Sequence, residues 1–329
     1  MTRRWWLLRR ALLSFVALWA VVSVAFAFVA LTDDPNEGLI RFEAAQTALA
    51  GGENVSAAVE EALRGYREAR NLDEPVLDRY LAWMQSVATL NLGVSYRTGQ
   101  FVTPLVARRL VITLQYTLPG LAVAVLGGTV VGTYAGLEDD DSLSRVATLV
   151  SYTTYAVPNF WIASVVLSVA VWEFGILTLT GYELDRGLWA RKNLEKLVLP
   201  ALLLGTGLIA TLARYVRTRV LDTRDETFVK VVRAKGASRP RVARHVLRVA
   251  ALPLLSLVLS NLLGVLVLGV VVIEFVFDVP GFGLLTLRSV QNRDLPVIVG
   301  VTLVVAATGV LGTFLKDVAT TRLDPRIDE

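Results

Sequence analysis

The run LVITLQYTLPGLAVAVLGGTVVGTYAGL, residues Leu110–Leu137, contains no Asp, Glu, Lys or Arg. It is longer than the roughly 20 apolar residues that a helix needs to cross the hydrocarbon core of a bilayer. Hydrophobic residues make up 54% of the whole chain and charged residues only 19%, which is more apolar than is usual for a soluble domain. The run and the composition together predict a membrane protein.

Five more runs are equally free of charged residues and are near or above the same length. They are Ala11–Leu31, Val146–Trp172, Leu197–Ala213, Val249–Ile273 and Leu295–Leu315. With the first run they predict an all-α polytopic membrane protein with six transmembrane helices.

The first apolar run has a second interpretation, as a signal peptide. Arg3, Arg4, Arg9 and Arg10 precede it, and Ala25–Ala27 has the small-residue pattern of a cleavage site. The run is, however, longer than the roughly 7–15 residues of a signal-peptide core. We therefore favour an uncleaved first span.

Basic residues set the expected orientation of the spans. They are dense before the first run and between Arg214 and Arg248, and sparse in the short loops on the opposite side. Because positive charge accumulates in cytoplasmic loops, both termini are predicted inside. We expect four regions: residues 1–31, a cytoplasmic N-terminus with the first span; 32–109, an extracytoplasmic insertion; 110–317, the transmembrane core; and 318–329, a cytoplasmic tail.

Sites for catalysis are not indicated. The chain has no cysteine and one histidine, and it lacks a G-x-x-x-x-G-K-[ST] phosphate loop. Glu173, Arg214 and Glu274 fall at the ends of predicted spans, where we expect them to reach the polar boundary. We therefore expect no enzymatic activity and no cofactor or metal in this chain, and an energy source outside it.

Two features of the apolar runs concern helix packing. Gly128, Gly132 and Gly136 are spaced four residues apart, which predicts close approach of another helix, with a mobile interface as the alternative. Asn159, Trp161 and Asn261 are candidates for a translocation pathway, with ordinary interhelical packing as the alternative.

A basic, amphipathic segment lies between the fourth and fifth runs: TRDETFVKVVRAKGASRPRVARHVLRVAALP, residues Thr223–Pro253. Thr223 and Glu226 have the spacing of a capping box, which predicts a helix start there. Phe228, Val231 and Val232 would then share one helical face. Gly236 is placed to end this helix in the left-handed conformation.

A second short helix is expected to follow. Ser238 is a candidate cap with Pro240 in the first turn. The valines at 242, 246 and 249 would form its apolar stripe, with basic residues on the opposite face. The segment therefore predicts a cytoplasmic helix pair that contacts a partner, although lipid headgroups are the alternative ligand for a basic loop of this kind.

Several stretches of the segment resemble one family closely. They are Phe228-Val229-Lys230, Arg233-Ala234-Lys235-Gly236, Arg244-His245, Arg248 and Leu252-Pro253. They resemble the cytoplasmic loop of permease subunits of bacterial and archaeal ABC importers, and more narrowly the B-type permease of dipeptide/oligopeptide systems. Further similar segments occur in family order: Asn91–Gly99, Val272–Phe277 with Pro280–Gly283, Asn292–Val297 and Leu323–Ile327.

The resemblance implies a role for the loop, here residues 222–250, in docking to an ATPase. The residues that it assigns to this contact are Phe228, Val231, Val232, Arg233, Ala234, Lys235, Gly236, Arg241, Arg244 and His245. Lys230-Val231-Val232 stands where the general family loop has Glu-Ala-Ala, so the acidic residue of that loop is missing here.

The resemblance also implies the chain's partners and cargo. The partners are a second, C-type permease, two cytoplasmic ABC ATPases that bind ATP and Mg²⁺, an extracytoplasmic substrate-binding protein and the lipid bilayer, with no nucleic acid. The expected function is ATP-driven peptide import by alternating access across the cytoplasmic membrane of a prokaryote. Alternatives are another solute (nickel, glutathione or an oligosaccharide), a self-sufficient secondary carrier, and a membrane scaffold or receptor.

Overall fold

The structure is a computed structural model that describes residues 3–31, 35–69, 71–138, 141–173, 181–264 and 270–323. These residues are almost entirely helical. The helices are α1 (Arg3–Leu31), α2 (Pro35–Gly51), α3 (Val55–Ala69), α4 (Val76–Ala88), α5 (Val102–Leu137), α6 (Ser142–Ala156), α7 (Asn159–Trp172), α8 (Arg191–Arg224), α9 (Thr227–Ala234), α10 (Arg239–Gly264), α11 (Val270–Val276), α12 (Phe282–Gln291) and α13 (Leu295–Leu323).

Within the described residues, four helical stretches are long and apolar enough to cross a membrane. They are Leu8–Gly51, of which residues 8–31 and 35–51 are described, Val102–Leu137, Arg191–Arg224 and Leu295–Ala319. The prediction of an all-helical, polytopic membrane protein is thus confirmed, whereas the number of six spans and their orientation remain predictions.

The third apolar run is not one continuous helix. It is divided between α6 and α7, because Val157 is extended (φ −89°, ψ 126°) and Pro158 precedes the first turn of α7. A residue before proline is disfavoured in the helical conformation, which accounts for this break. In the fifth run, α10 is described as far as Gly264 and α11 from Val270 onward, and residues 265–269 lie outside the described part of the chain.

The chain forms two compact units. The first comprises residues 1–14, 106–288 and 307–329. Its main apolar core joins residues of α5, α7, α8 and α11 with the turn after α11, and includes Tyr116, Leu204 and Phe277. Asn193, fully buried at the start of α8, accepts a hydrogen bond from Glu183 N and donates to the carbonyls of Glu183 and Gly187. These bonds fix the turn that precedes α8.

The second unit comprises residues 15–105 and 289–306. Phe26 of α1 packs against Tyr80 and Trp83 of α4, with ring centroids 5.3 and 5.8 Å apart. Between α4 and α5 the chain makes a tight hairpin, with an isolated antiparallel bridge between Val94 and Phe101. The prediction of a separate insertion at 32–109 remains a proposal.

One carboxylate holds that hairpin in place. Asp294 accepts hydrogen bonds from Ser95 Oγ at 2.5 Å, Tyr96 N at 3.1 Å and Arg97 N at 3.4 Å. Ser95 and Asp294 are both buried. Two segments that carry the family resemblance, 91–99 and 292–297, are therefore joined by direct hydrogen bonds.

Candidate functional site

The basic segment begins differently from the sequence prediction. Thr223 lies inside α8, and its hydroxyl donates to the carbonyl of Arg219 at 2.8 Å, four residues back. The residue before the first turn of α9 is Glu226, and its side chain makes no capping hydrogen bond. The predicted capping box is wrong, because the long helix α8 continues through Thr223 and leaves its hydroxyl no free amide to accept from.

Helix α9 has two apolar faces. Val229 is fully buried, and Val232 is half-buried beside it. Phe228 and Val231 point away from this contact and remain 41% and 47% exposed. The prediction of one face containing Phe228, Val231 and Val232 is thus corrected: Val232 joins the buried side, and Val229, which the sequence reasoning missed, is its centre.

The exposed face of α9 combines apolar and basic side chains. Besides Phe228 and Val231, the exposed residues of this helix and its C-terminal turn are Lys230, Arg233, Ala234, Lys235 and Gly236. We call this set the exposed α9 face. An exposed phenylalanine and valine surrounded by positive charge favour an interface with a partner that offers apolar and acidic groups.

Gly236 ends α9 as the sequence predicted. Its φ is +76°, in the left-handed region. Its N–H donates to the carbonyl of Arg233 at 2.9 Å, and Ala237 N donates to that of Val232 at 3.3 Å. These two bonds make a Schellman motif, in which glycine is preferred because other residues are strained at positive φ.

Helix α10 begins directly after Ser238, whose carbonyl accepts hydrogen bonds from Arg241 N and Val242 N. It is not a short separate helix but continues to Gly264 as part of the fifth apolar run. Its buried stripe contains Val242 and Val246, whereas Val249 is 55% exposed, so its assignment to the stripe was wrong. The basic side of the helix is exposed, namely Arg241, Arg244, His245 and Arg248.

Buried valines connect α9 to the long helices. Val229 packs with Val216 and Val220 of α8 and with Val242 and Val246 of α10; we call these five residues the valine cluster. Leu137, at the end of α5, packs against the same cluster. A displacement of α9 would therefore act directly on α5, α8 and α10.

A close helix contact extends this connection along α5. A Cβ atom at Gly128 would lie 2.6 Å from Leu212 Cβ, and one at Gly136 would lie 2.6 Å from Val220 Cβ. Arg224 Nη1 also donates to the carbonyl of Gly136 at 3.1 Å. The glycines therefore pack α5 against α8, in agreement with the helix-packing interpretation.

The three pathway candidates are not brought together by the described contacts. Trp161 lies in the first turn of α7 and is 56% exposed. Asn159 and Asn261 belong to α7 and α10, but their side chains lie outside the described residues. The pathway assignment remains a prediction.

Glu274 was expected to reach the polar boundary, and this expectation was wrong. Its side chain is fully buried in α11. Oε1 accepts hydrogen bonds from Thr113 Oγ1 at 2.5 Å and Tyr116 OH at 3.1 Å, and Oε2 accepts from Leu284 N at 2.8 Å. The carboxylate thus joins α5, α11 and the first turn of α12, where free N–H groups favour negative charge.

Comparison with known proteins assigns the family. Residues 128–329 match the family described as binding-protein-dependent transport system inner membrane component. The chain belongs to this family. Residues 128–329 contain the segment from α9 to α10, with the valine cluster and Glu274, so the match includes the geometry described above.

Relatives extend the similarity over nearly the whole chain. A protein of Brucella suis biovar 1 (strain 1330) that carries the name of a peptide permease is 34% identical over 97% of this chain and 98% of its own length. The oligopeptide transport system permease protein AppB of Bacillus subtilis (strain 168) is 31% identical, over 79% of this chain and 83% of its own. OppB of Mycobacterium bovis is 30% identical, over 78% and 82%.

The recognition made from sequence motifs, a permease subunit of the peptide-type ABC importers, is confirmed by the family and by these relatives. The family is an inner-membrane transport component and not a catalytic one, which agrees with the expectation that this chain is not an enzyme. The individual site residues remain predictions.

Proposed function

We propose that this chain is one permease subunit of an ATP-driven importer that moves peptides across the cytoplasmic membrane of a prokaryote. Membership of the binding-protein-dependent transport family supports the importer, and the names of the relatives support peptides as the cargo. A second permease, two ATPase subunits and an external binding protein complete the importer. ATP and Mg²⁺ bind in the ATPase subunits and not in this chain.

The observation that carries the proposal is the two-sided packing of α9. Val229 fixes one side in the valine cluster, while Phe228 and Val231 are exposed on the other. In the proposal the exposed α9 face docks to an ATPase subunit, and the basic side of α10, with Arg241, Arg244 and His245, orients the contact.

In the proposal, movement of α9 by the ATPase subunits drives transport. ATP binds one arrangement of the ATPase subunits better than another, and only such differential binding can shift the population of states. Because α9 is packed on α8 and α10, closure of the ATPases shifts those helices together and exchanges outward-facing and inward-facing states.

Phe228→Asp is expected to abolish ATP-dependent peptide uptake, because a carboxylate would replace the central apolar contact of the exposed α9 face. The test uses the full importer in proteoliposomes with its binding protein, and measures uptake of a labelled peptide and the amount of ATPase that co-purifies. Phe228→Leu is the matched control and should retain uptake, since it keeps an apolar side chain of similar burial. Normal uptake by Phe228→Asp would refute docking through this face, and uptake without ATPase subunits would favour a self-sufficient carrier.

Gly236→Val is expected to uncouple ATP hydrolysis from uptake while membrane insertion is preserved. A Cβ atom at Gly236 meets nothing within 4 Å, so the effect comes from φ, where a β-branched residue is strained by about 1–2 kcal/mol or more. Peptide transported per ATP hydrolysed is the measurement.

Gly52→Val is the matched control for Gly236→Val. Gly52 has a φ of +69° and is equally free of neighbours, but it lies between α2 and α3. The backbone strain in the two variants is therefore similar, while Gly52→Val leaves α9 and its C-terminal turn unchanged. An equal loss of coupling in both variants would contradict a specific role for the turn at Gly236.

A further inference from the structure

An apolar groove runs between α1 and α13 in the second unit. Its volume is about 470 Å³. Its walls are Ala20, Val21, Val24, Ala25, Phe28 and Val29 on α1, and Leu295, Ile298, Val299 and Thr302 on α13. The one hydroxyl among them, that of Thr302, donates to the carbonyl of Ile298 at 2.8 Å. The groove therefore offers apolar surface without a free polar group of its own.

A second cavity adjoins one end of this groove. It has a volume of about 230 Å³ and shares three wall residues with the groove, Val29, Leu295 and Val299. Its remaining walls include polar side chains, among them those of Ser86 and Asn91, together with Trp83 and Tyr96. The two spaces are thus neighbours, one apolar along its length and the other partly polar, and we call the pair the channel.

The polar end can donate hydrogen bonds but carries no charge. None of the described wall residues is acidic or basic. The indole N–H of Trp83, a wall residue, is buried and makes no hydrogen bond within the described residues, so this wall contains an unused donor. These donors match a neutral acceptor, such as an ester carbonyl, better than a phosphate, which prefers cationic partners.

The expected depth of the channel in the membrane is also consistent with binding of an ester carbonyl. The groove uses the last turns of α1, where the charge-free run Ala11–Leu31 ends, and the first turns of α13, where a span candidate begins at Leu295. Aromatic residues with one polar edge, such as Trp83 and Tyr96, are typical of the boundary between hydrocarbon and headgroups. We therefore expect the polar cavity at the depth where a glycerolipid carries its ester groups.

We propose that this channel binds one acyl chain of a phospholipid, with the chain in the groove between α1 and α13 and its ester carbonyl at Ser86 and Asn91. A single acyl chain can follow the groove into the smaller cavity. A transmembrane helix of another subunit, roughly 10 Å or more across, cannot enter a cavity of 230 Å³. The proposal does not depend on the transported solute.

Filling the groove tests the site. The complete importer is reconstituted in dioleoylphosphatidylcholine, extracted into mild detergent and washed, and the phospholipid retained per complex is measured by mass spectrometry. Ala25→Trp is expected to remove one retained lipid per complex, and the smaller Ala25→Leu to weaken its retention. Ala27→Trp, at an exposed position of α1 outside the groove, is the matched control and should retain the lipid.

The ester contact has its own test. The wild-type complex should retain dioleoylphosphatidylcholine more strongly than its di-ether analogue, which lacks carbonyl groups, and Asn91→Leu should remove this preference. Equal lipid retention by Ala25→Trp and wild type would overturn the proposal. Loss of the second permease from Ala25→Trp with lipid unchanged would also overturn it, and would make the groove a subunit interface.

Discussion

Glu274→Ala is expected to cause a severe loss of stability. The carboxylate accepts hydrogen bonds from Thr113 Oγ1, Tyr116 OH and Leu284 N, and both side-chain partners are fully buried. Alanine would leave these donors without an acceptor, at a cost of about 1–3 kcal/mol for each buried group. The loss therefore exceeds that of an ordinary single substitution.

The thermal midpoint of the detergent-solubilised complex, followed as the fraction that stays monodisperse, measures this effect. Glu274→Gln should be intermediate, because its amide oxygen can still accept from Thr113 and Tyr116 while its NH₂ group faces the N–H of Leu284. Glu173→Ala, at an exposed carboxylate after α7, is the matched control and should be neutral. If Glu274→Ala had the same thermal midpoint as the wild type, the carboxylate would not be the acceptor that Thr113, Tyr116 and Leu284 share.

The neighbouring Gly281 limits the space around the same carboxylate. A Cβ atom there would overlap the Glu274 carboxylate and would lie 2.6 Å from Thr113 Oγ1. The turn before α12 must therefore leave room at Gly281 for the carboxylate to reach α12.

The class of all-helical membrane protein was predictable because a long uncharged run needs no tertiary information to be recognised. It could not find the partners of Glu274. Thr113 and Tyr116 lie 161 and 158 residues away along the chain, and only the packing of α5 on α11 brings them to the carboxylate. A carboxylate at a span end is usually explained by contact with the membrane boundary, so the burial of Glu274 had no local signal.

The candidate site shows the same division between local and tertiary information. The turn at Gly236 was predictable because positive φ selects glycine locally. The buried face of α9 was not, since Phe228 and Val231 have the same helical spacing as Val229 and Val232. The positions of α8 and α10 determine which face of α9 is buried. The periodicity of an eight-residue helix carries no information about those positions.

The capping-box prediction at Thr223 was wrong for a related reason. A threonine followed three residues later by glutamate marks a helix start only where the preceding residues are not helical. Here α8 runs from Arg191 to Arg224, and the threonine hydroxyl bonds within it. The continuity of the long helix therefore overrides the capping pattern.

Gly132→Ala is the second substitution with a large expected effect. A Cβ atom at this position would overlap the carbonyl oxygen of Ala213 and would lie 2.8 Å from Val216 Cβ and 3.0 Å from Ala213 Cα. Two of these atoms belong to the backbone of α8, so the helices must separate to admit a methyl group. Overpacking of this kind costs about 1–3 kcal/mol.

Gly127→Ala, on the same helix, is the matched control. Its Cβ would meet only the side chain of Ile209, with the nearest atom, Cδ1, at 3.3 Å, and that chain can change rotamer. Because alanine is favoured over glycine inside helices by about 0.5–1 kcal/mol, this variant should melt with the wild type or slightly above it. Equal destabilisation by both substitutions would show that α5 needs glycine for flexibility and not for contact with α8.

Peptide uptake should distinguish Gly132→Ala from Gly127→Ala more clearly than thermal stability does. Val216 belongs both to the contact with Gly132 and to the valine cluster that holds α9. A methyl group at Gly132 therefore displaces the residue through which α9 acts on α8, and we expect peptide uptake by Gly132→Ala to fall even at temperatures where the complex remains folded. Uptake by Gly132→Ala that matched Gly127→Ala under those conditions would mean that motion reaches α5 by another route, such as Leu137 or the contact of Gly136 with Val220.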